Sequence, residues 1–346
     1  VRLTIGMATY KDPQGVFFTL QALRLYHDLE DAELLVVDNS KAGCAATAQT
    51  CKKQEARYVH RPKPQGTAAP RDAVFREAKG KVVCCVDSHV LLTTGSLRLL
   101  LAHFDNTSNS HDLVQGPLLY DSHQGVATHF DTVWGDGMYG KWARAWYHRD
   151  VGLFACRNID EFVNFVAVDG RPFTIPELCH LPPIPRSADD RLPWAGHEQA
   201  LARAGCRLPA TGPIEIPMQG LGLFAMRRDA WPGFNPRFRG FGGEEGYLHE
   251  KVRRRGGRCV CLPGLRWVHR FRAEGEAQPY PNTVDDRLFN YLVGWRELGL
   301  DVKPVIGHFV GRLPRKQLER VIKEACHDSG TDTEGHPGHA AAPVAV

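Results

Sequence analysis

Short apolar runs alternating with helix-patterned stretches fill the N-terminal part of this chain. That alternation constrains the fold more than any other feature of the sequence. Leu3 to Thr9 is an apolar run that stops at the turn Tyr10-Lys11-Asp12-Pro13. Phe17 to Leu29 has helical spacing, with Phe18, Ala22, Leu25 and Leu29 on one face. Glu33 to Val37 reads as a second buried strand, closed by Asp38-Asn39-Ser40, and Ala56 to His60 as a short third. Arg71 to Lys79 reads as a helix that stops at Gly80, and Lys81 to Val86 as a fourth strand ending at Asp87-Ser88-His89. The pattern predicts an α/β fold, a mostly parallel central sheet with helices on both faces. Ligands of such sheets bind at the carboxyl ends of the strands, where Asp38 and Asp87 both sit.

Regularity fades after residue 120 and returns later. Gly135 to Trp146 is rich in Gly and Trp. Pro172 to Pro217 is interrupted by prolines and reads as loop, with one short helix near Glu198 to Ala204. Gly222 to Met226 and Cys259 to Leu262 read as strands, Gly246 to Arg255 as a helix closed by Gly256-Gly257, and Asp285 to Leu298 as another helix. The tail from Asp328 is small and polar, which predicts disorder.

Composition narrows the class. The 346 residues are 43% hydrophobic and 24% charged, as in globular proteins with a large core. No apolar run reaches the roughly 18 residues of a membrane span. Val1 to Ile5 reads as strand rather than signal peptide, and the start at Val1 leaves an upstream anchor or signal open. A net charge of +4 does not by itself argue for nucleic acid and suits an anionic ligand equally well. The ten cysteines are scattered, with Cys84 and Cys85 inside an apolar strand, a pattern that predicts reduced thiols and a cytoplasmic setting.

Asp87-Ser88-His89 carries the clearest chemistry. Positions two apart on an extended segment face the same way, so the Asp87 carboxylate and His89 imidazole can reach one ion. A mixed oxygen and nitrogen pair suits Mn²⁺ or another first-row divalent metal better than Ca²⁺. The bland alternative is a turn-capping Asp87 beside a hydrogen-bonded His89. Glu244 and Glu245 start a helix, where two acids stabilise the dipole whatever else they do. Arg253-Arg254-Arg255 with Arg258 reads as a solvated helix end. Gly220-Leu221-Gly222 lacks the third glycine and the preceding strand of a dinucleotide fingerprint.

Asp38 after the second strand and Asp-x-His after the fourth resemble the GT-A (Rossmann-like) fold of family-2-type glycosyltransferases. The fuller resemblance is to the polypeptide N-acetylgalactosaminyltransferases, which carry Asp-Ser-His where most relatives have Asp-x-Asp. Gly135 to Trp142 resembles their Gly-Gly-Phe-Asp-Trp, and Pro217 to Phe224 their Pro-Thr-x-Ala-Gly-Gly-Leu-Phe. Phe241-Gly242-Gly243-Glu244-Glu245 is similar to their Trp-Gly-Gly-Glu-Asn, and His269-Arg270-Phe271-Arg272 to their His-Val-Phe-Arg. The order along the chain is preserved, and the resemblance leads to no expectation of a lectin module within these residues.

The resemblance implies a metal-dependent glycosyltransferase acting on a UDP-sugar. Residues 1–120 would form the nucleotide-sugar-binding half and 121–300 the acceptor-binding and catalytic half of the same domain. Residues 301–327 would be a helical extension and 328–346 a disordered tail. Asp87, His89 and His269 would hold Mn²⁺ or another divalent ion. Thr9 and Asp38 would bracket the uridine, and Arg71 would approach the donor. Arg272 would pair with the diphosphate, and Tyr280 would help a loop close over it. Glu244 and Glu245 would face the donor sugar and acceptor. The family retains anomeric configuration, yet this chain has Glu245 where the family has Asn, so a carboxylate base and inversion stay open. The acceptor is a protein or peptide hydroxyl by resemblance; a glycan, a small molecule or a hydroxylated DNA base is also compatible. A nucleotidyltransferase would need a Gly-rich basic loop where this chain has Thr9 to Pro13. A non-catalytic nucleotide-sugar-binding module is the other alternative.

Overall fold

The computed structural model describes residues 1–63, 66–107, 111–120, 126–148, 152–156, 213–270 and 282–327. The helix expected near Glu198 to Ala204 and the tail from Asp328 lie outside them. β1 (Leu3–Thr9), α1 (Pro13–Tyr26), β2 (Ala32–Asp38), α2 (Ala45–Lys53), β3 (Arg57–His60), α3 (Ala68–Glu77) and β4 (Val82–Asp87) follow the alternation of the sequence. Then come β5 (Val90–Leu92), α4 (Ser96–Asn106), β6 (Leu113–Gln115), β7 (Leu118–Tyr120), β8 (Val126–Ala127), β9 (His129–Gly135), β10 (Met138–His148) and β11 (Gly152–Cys156). Among the described residues the further strands and α-helices are β12 (Ile214–Glu215), β13 (Leu223–Arg227), α5 (Glu244–Arg254), β14 (Cys259–Cys261), β15 (Trp267–His269), α6 (Val284–Glu297), α7 (Lys303–Phe309) and α8 (Arg315–Cys326).

The central sheet has eight strands in the order β12-β14-β6-β13-β4-β1-β2-β3. β4, β1, β2 and β3 are parallel; β13 runs antiparallel between β4 and β6. Side chains alternate across this sheet. Leu34 and Val36 of β2, with Val82, Cys84 and Val86 of β4, pack with α1 and α4 on one face. Leu35, Val37, Val83 and Cys85 point to the other, under α3, α5, α6 and α8. Burial on both faces explains why these strands read as unbroken apolar runs. Gly6 lets α3 lie directly on β1, since a Cβ there would come within 2.3 Å of Val74 Cγ1. Cys84, Cys85, Cys259 and Cys261 are buried free thiols, consistent with cysteine acting as a small hydrophobe. Among the described residues no helix is long and apolar enough to cross a membrane.

Two expectations need correction. α1 begins at Pro13, not Phe17, because Asp12 caps it by accepting the Gly15 N–H at 3.0 Å. Its core face is Val16, Leu20 and Leu23, and Thr19 fixes the rotation by donating to the Val90 carbonyl at 3.0 Å. Leu25, expected inside, is 62% exposed. Arg258 is not merely solvated: it donates to both oxygens of buried Asp112, at 3.2 and 2.6 Å, tying the start of β14 to β6.

Candidate metal centre and its cleft

Strand ends bring Asp87, His89 and His269 together. β4 stops at Asp87, the chain turns through Ser88 and His89, and β5 begins at Val90. β15 lies antiparallel to β5 with His269 opposite Val90, and the Arg270 amide donates to the His89 carbonyl at 3.1 Å. β15 is anchored by buried Trp267, whose indole N–H donates to the Gly116 carbonyl at 2.7 Å. His89 Nε2 lies 3.2 Å from His269 Nε2, and His269 Nε2 lies 3.7 Å from Asp87 Oδ2. One ligand atom from each residue falls within 4.8 Å of the others. Adjacent ligands on bonds of about 2.1 Å stand roughly 3.0–3.4 Å apart, so the two nitrogens are spaced for one ion. One carboxylate oxygen and two imidazole nitrogens make a donor set that fits a first-row divalent cation.

Neighbouring charges tune these groups. Arg71 on α3 is buried and donates to Asp87 Oδ1 at 2.9 Å. Burial pushes the Asp87 carboxyl up, but Arg71, His269 and His89 outweigh it and hold it well below the usual range. Asp12, read from sequence only as part of a turn, lines the same cleft. It accepts from Ser88 Oγ at 2.7 Å and faces His89 Nδ1 at 3.1 Å. Burial raises its carboxyl, and the bonds from His89, Ser88 and Gly15 bring it down to about 2.

The cleft encloses about 620 Å³. Thr9, at the end of β1, lines it, with its buried Oγ1 lacking a hydrogen-bond partner among the described residues. Asp38 sits behind the wall instead. It is fully buried, accepting from the Ser40 and Cys44 amides at 2.8 Å each and from Tyr58 Oη at 2.7 Å. The next residue, Asn39, reaches the cleft and donates to the Gly66 carbonyl at 2.9 Å. Gly66 and Thr67 are clipped to a second turn, where the Thr67 amide donates to Gly240 O at 2.9 Å. Gly240, Gly242 and Gly243 take φ of 57°, 100° and 95°, left-handed values that favour glycine. That turn delivers α5 with its two acids. Glu245 lines the cleft; Glu244 is buried behind it and bonded to Thr67 Oγ1. Burial, with Glu244 beside it, pushes the Glu245 carboxyl up to about 7.

The opposite wall is aromatic. Asp136 and Gly137, with φ of 49° and 75°, form the tight turn between β9 and β10. This hairpin carries Phe130, Met138 and Trp142 into the cleft. Gly220 and Gly222 cross the floor, where Cβ atoms would meet Trp142 and Trp267 at 2.9 Å. Arg272 and Tyr280 lie outside the described residues, so their expected roles at the diphosphate carry no geometry here.

Comparison with known proteins agrees with this architecture. Residues 4–141 match the family model described as glycosyl transferase family 2. No curated protein matches the chain. A solved structure described as GalNAc-T7 with UDP, GalNAc and Mn2+ superposes with a TM-score of 0.55 at 16% identity, covering 94% of this chain and 54% of that one. This chain thus spans about half the length of that relative. S. aureus TarS 1-349 in complex with UDP-GlcNAc gives 0.48 at 13% identity, covering 94% and 71% of the two chains. The mannosyltransferase PcManGT from Pyrobaculum calidifontis, with GDP-Man and Mn2+, gives 0.45 at 13%, covering 94% and 73%. The chain therefore has the GT-A glycosyltransferase fold, and its residues 4–141 match glycosyl transferase family 2.

Proposed function

We propose that this protein is a metal-dependent glycosyltransferase that moves a sugar from a UDP-sugar to an acceptor hydroxyl. The observation carrying this reading is the convergence of Asp87, His89 and His269 at the mouth of β4, in the cleft that Thr9 and Asn39 also line. That is where an α/β sheet presents its ligand site. The GalNAc-T7 structure, described with UDP and Mn2+, supports the same pairing of donor and metal. Asp87, His89 and His269 would hold a divalent ion, which when bound would supply charge neutralisation at the leaving diphosphate. Arg71 keeps Asp87 ionised and oriented, Thr9 and Asn39 face the nucleoside side, and Glu245 faces the side where sugar and acceptor meet. The acceptor is a protein or peptide hydroxyl on the strength of the resemblance, with retention of configuration.

Glu245 favours a second reading of the stereochemistry. It is the acid of the pair that lines the cleft, and its raised carboxyl suits a general base near neutral pH. As that base it would deprotonate the acceptor hydroxyl in an inverting transfer.

The test is turnover of a nucleotide-sugar panel with and without Mn²⁺, against peptide, glycan and hydroxylated-DNA acceptors. The anomeric proton of the first product is followed by NMR. Mn²⁺-dependent release of UDP from one donor supports the reading, and the coupling constant separates retention from inversion. Tight nucleotide-sugar binding without turnover on any acceptor would favour a binding module.

A further inference from the structure

We infer that Asp12 is a positioning residue that fixes the tautomer of His89, leaving its Nε2 bare for the metal. This rests on reading Asp87, His89 and His269 as ligands. Asp12 caps α1, with Oδ1 accepting the Gly15 amide at 3.0 Å. Its Oδ2 accepts Ser88 Oγ at 2.7 Å and stands 3.1 Å from His89 Nδ1. A carboxylate has no proton to give, so the His89 proton sits on Nδ1 and points at Asp12. The other nitrogen, Nε2, then faces His269 as a lone pair. Ligating histidines are commonly held this way by a carboxylate on the far nitrogen.

The arrangement is tightly packed. A Cβ at residue 15 would come within 2.1 Å of Asp12 Oδ2 and 2.4 Å of the Ser88 carbonyl. Gly15 thus lets the first turn of α1 close directly on the Ser88 backbone. One side chain joins the helix start to the metal site.

Two variants separate a tautomer role from a structural one. Asp12→Asn keeps the size and an oxygen for the Gly15 amide, since Asn and Asp cap equally well. Its amide NH₂ then faces His89 Nδ1, which must accept, and the imidazole proton moves to Nε2. Asp12→Ala removes the cap and lowers the melting temperature, but leaves His89 free to choose its tautomer. Mn²⁺ alone is titrated into each protein, and long-range ¹H–¹⁵N spectra of the metal-free proteins locate the His89 proton. The expected result is a crossing: Asp12→Asn loses Mn²⁺ affinity by about 10–100-fold with melting little changed. Asp12→Ala loses more stability and less affinity. The proton is expected on Nδ1 in the wild type and on Nε2 in Asp12→Asn. Affinity that simply tracks stability, or an Nε2 proton in the wild type, overturns the inference. Wild type that binds no Mn²⁺ overturns the ligand reading beneath it; wild type and Asp12→Asn binding equally overturns the role of Asp12 alone.

Discussion

Arg71 donates to Asp87 Oδ1 at 2.9 Å, and Asp87 Oδ2 turns toward His269 Nε2 at 3.7 Å. One oxygen is held by a buried guanidinium and the other faces the candidate metal position between Asp87, His89 and His269, so the carboxylate is ionised and aimed before any ligand arrives.

Removing that guanidinium strands the carboxylate. Arg71→Met should cost about 3 kcal/mol, read from urea unfolding. Mn²⁺ should recover part of the loss, because a cation beside Asp87 replaces the missing charge. The metal-induced rise in Tm is therefore expected to be larger in the variant than in the wild type. Equal rises would mean that Arg71 and the cation do not share Asp87.

Glu245 should make stability depend on pH. Burial, then Glu244 and Asp87, raise its folded value from 4.5 to about 7, while Arg71 works against them. Between those values the folded protein holds a proton that the unfolded chain has released. Stability therefore falls as pH rises across that window, by something on the order of 3 kcal/mol. Glu245→Gln should flatten this slope in urea titrations at pH 4.5 to 7.5, roughly matching wild type at the acid end. An unchanged slope would place the pH dependence elsewhere.

Asn290 on α6 should be required for the turn that delivers Glu245. It is fully buried, donates to the carbonyls of Arg239 at 2.7 Å and Gly242 at 2.9 Å, and accepts the Arg239 amide at 3.0 Å. Asn290→Leu leaves three backbone groups without their partner. We expect a loss of about 3 kcal/mol by calorimetry, with turnover impaired even where the variant stays folded. Unaltered stability would show that water replaces the side chain.

Gly222 should tolerate no side chain. A Cβ there would lie 2.9 Å from the Trp267 ring and 3.2 Å from His269 Cδ2, while its carbonyl accepts the Asp87 amide at 2.9 Å. Trp267 is buried and cannot yield, so His269 takes the displacement. Gly222→Ala is expected to weaken Mn²⁺ binding at least tenfold in a titration, with a smaller loss of stability. Wild-type affinity would place His269 beyond reach of that methyl.

Much of this was legible in the sequence for physical reasons. β1, β2 and β4 are buried on both faces and leave continuous apolar runs. Asp87 and His89 are two apart at a strand end, so their convergence follows from strand geometry. His269 lies 180 residues from His89, and only the resemblance linked them. The spacing from Phe17 selects the wrong face of α1 because it leaves out the Asp12 cap and Val16, the first large apolar residue of the buried face. α4 is also legible, since Leu97, Leu100 and Phe104 carry helical spacing. Asp12 gave no chemical signal of its own, since its partner His89 is 77 residues away. Asp38 stood at the right strand end, but Tyr58 and two amides turn its carboxylate inward, and it is Asn39 that reaches the cleft.

The most direct test of the central claim is calorimetric titration of UDP-sugars into wild type and His269→Ala, each with and without Mn²⁺. The account predicts that one UDP-sugar binds the wild type only when Mn²⁺ is present, and that His269→Ala loses this binding while staying folded. Binding that is indifferent to Mn²⁺ and to His269, or no binding of any nucleotide-sugar, would contradict it.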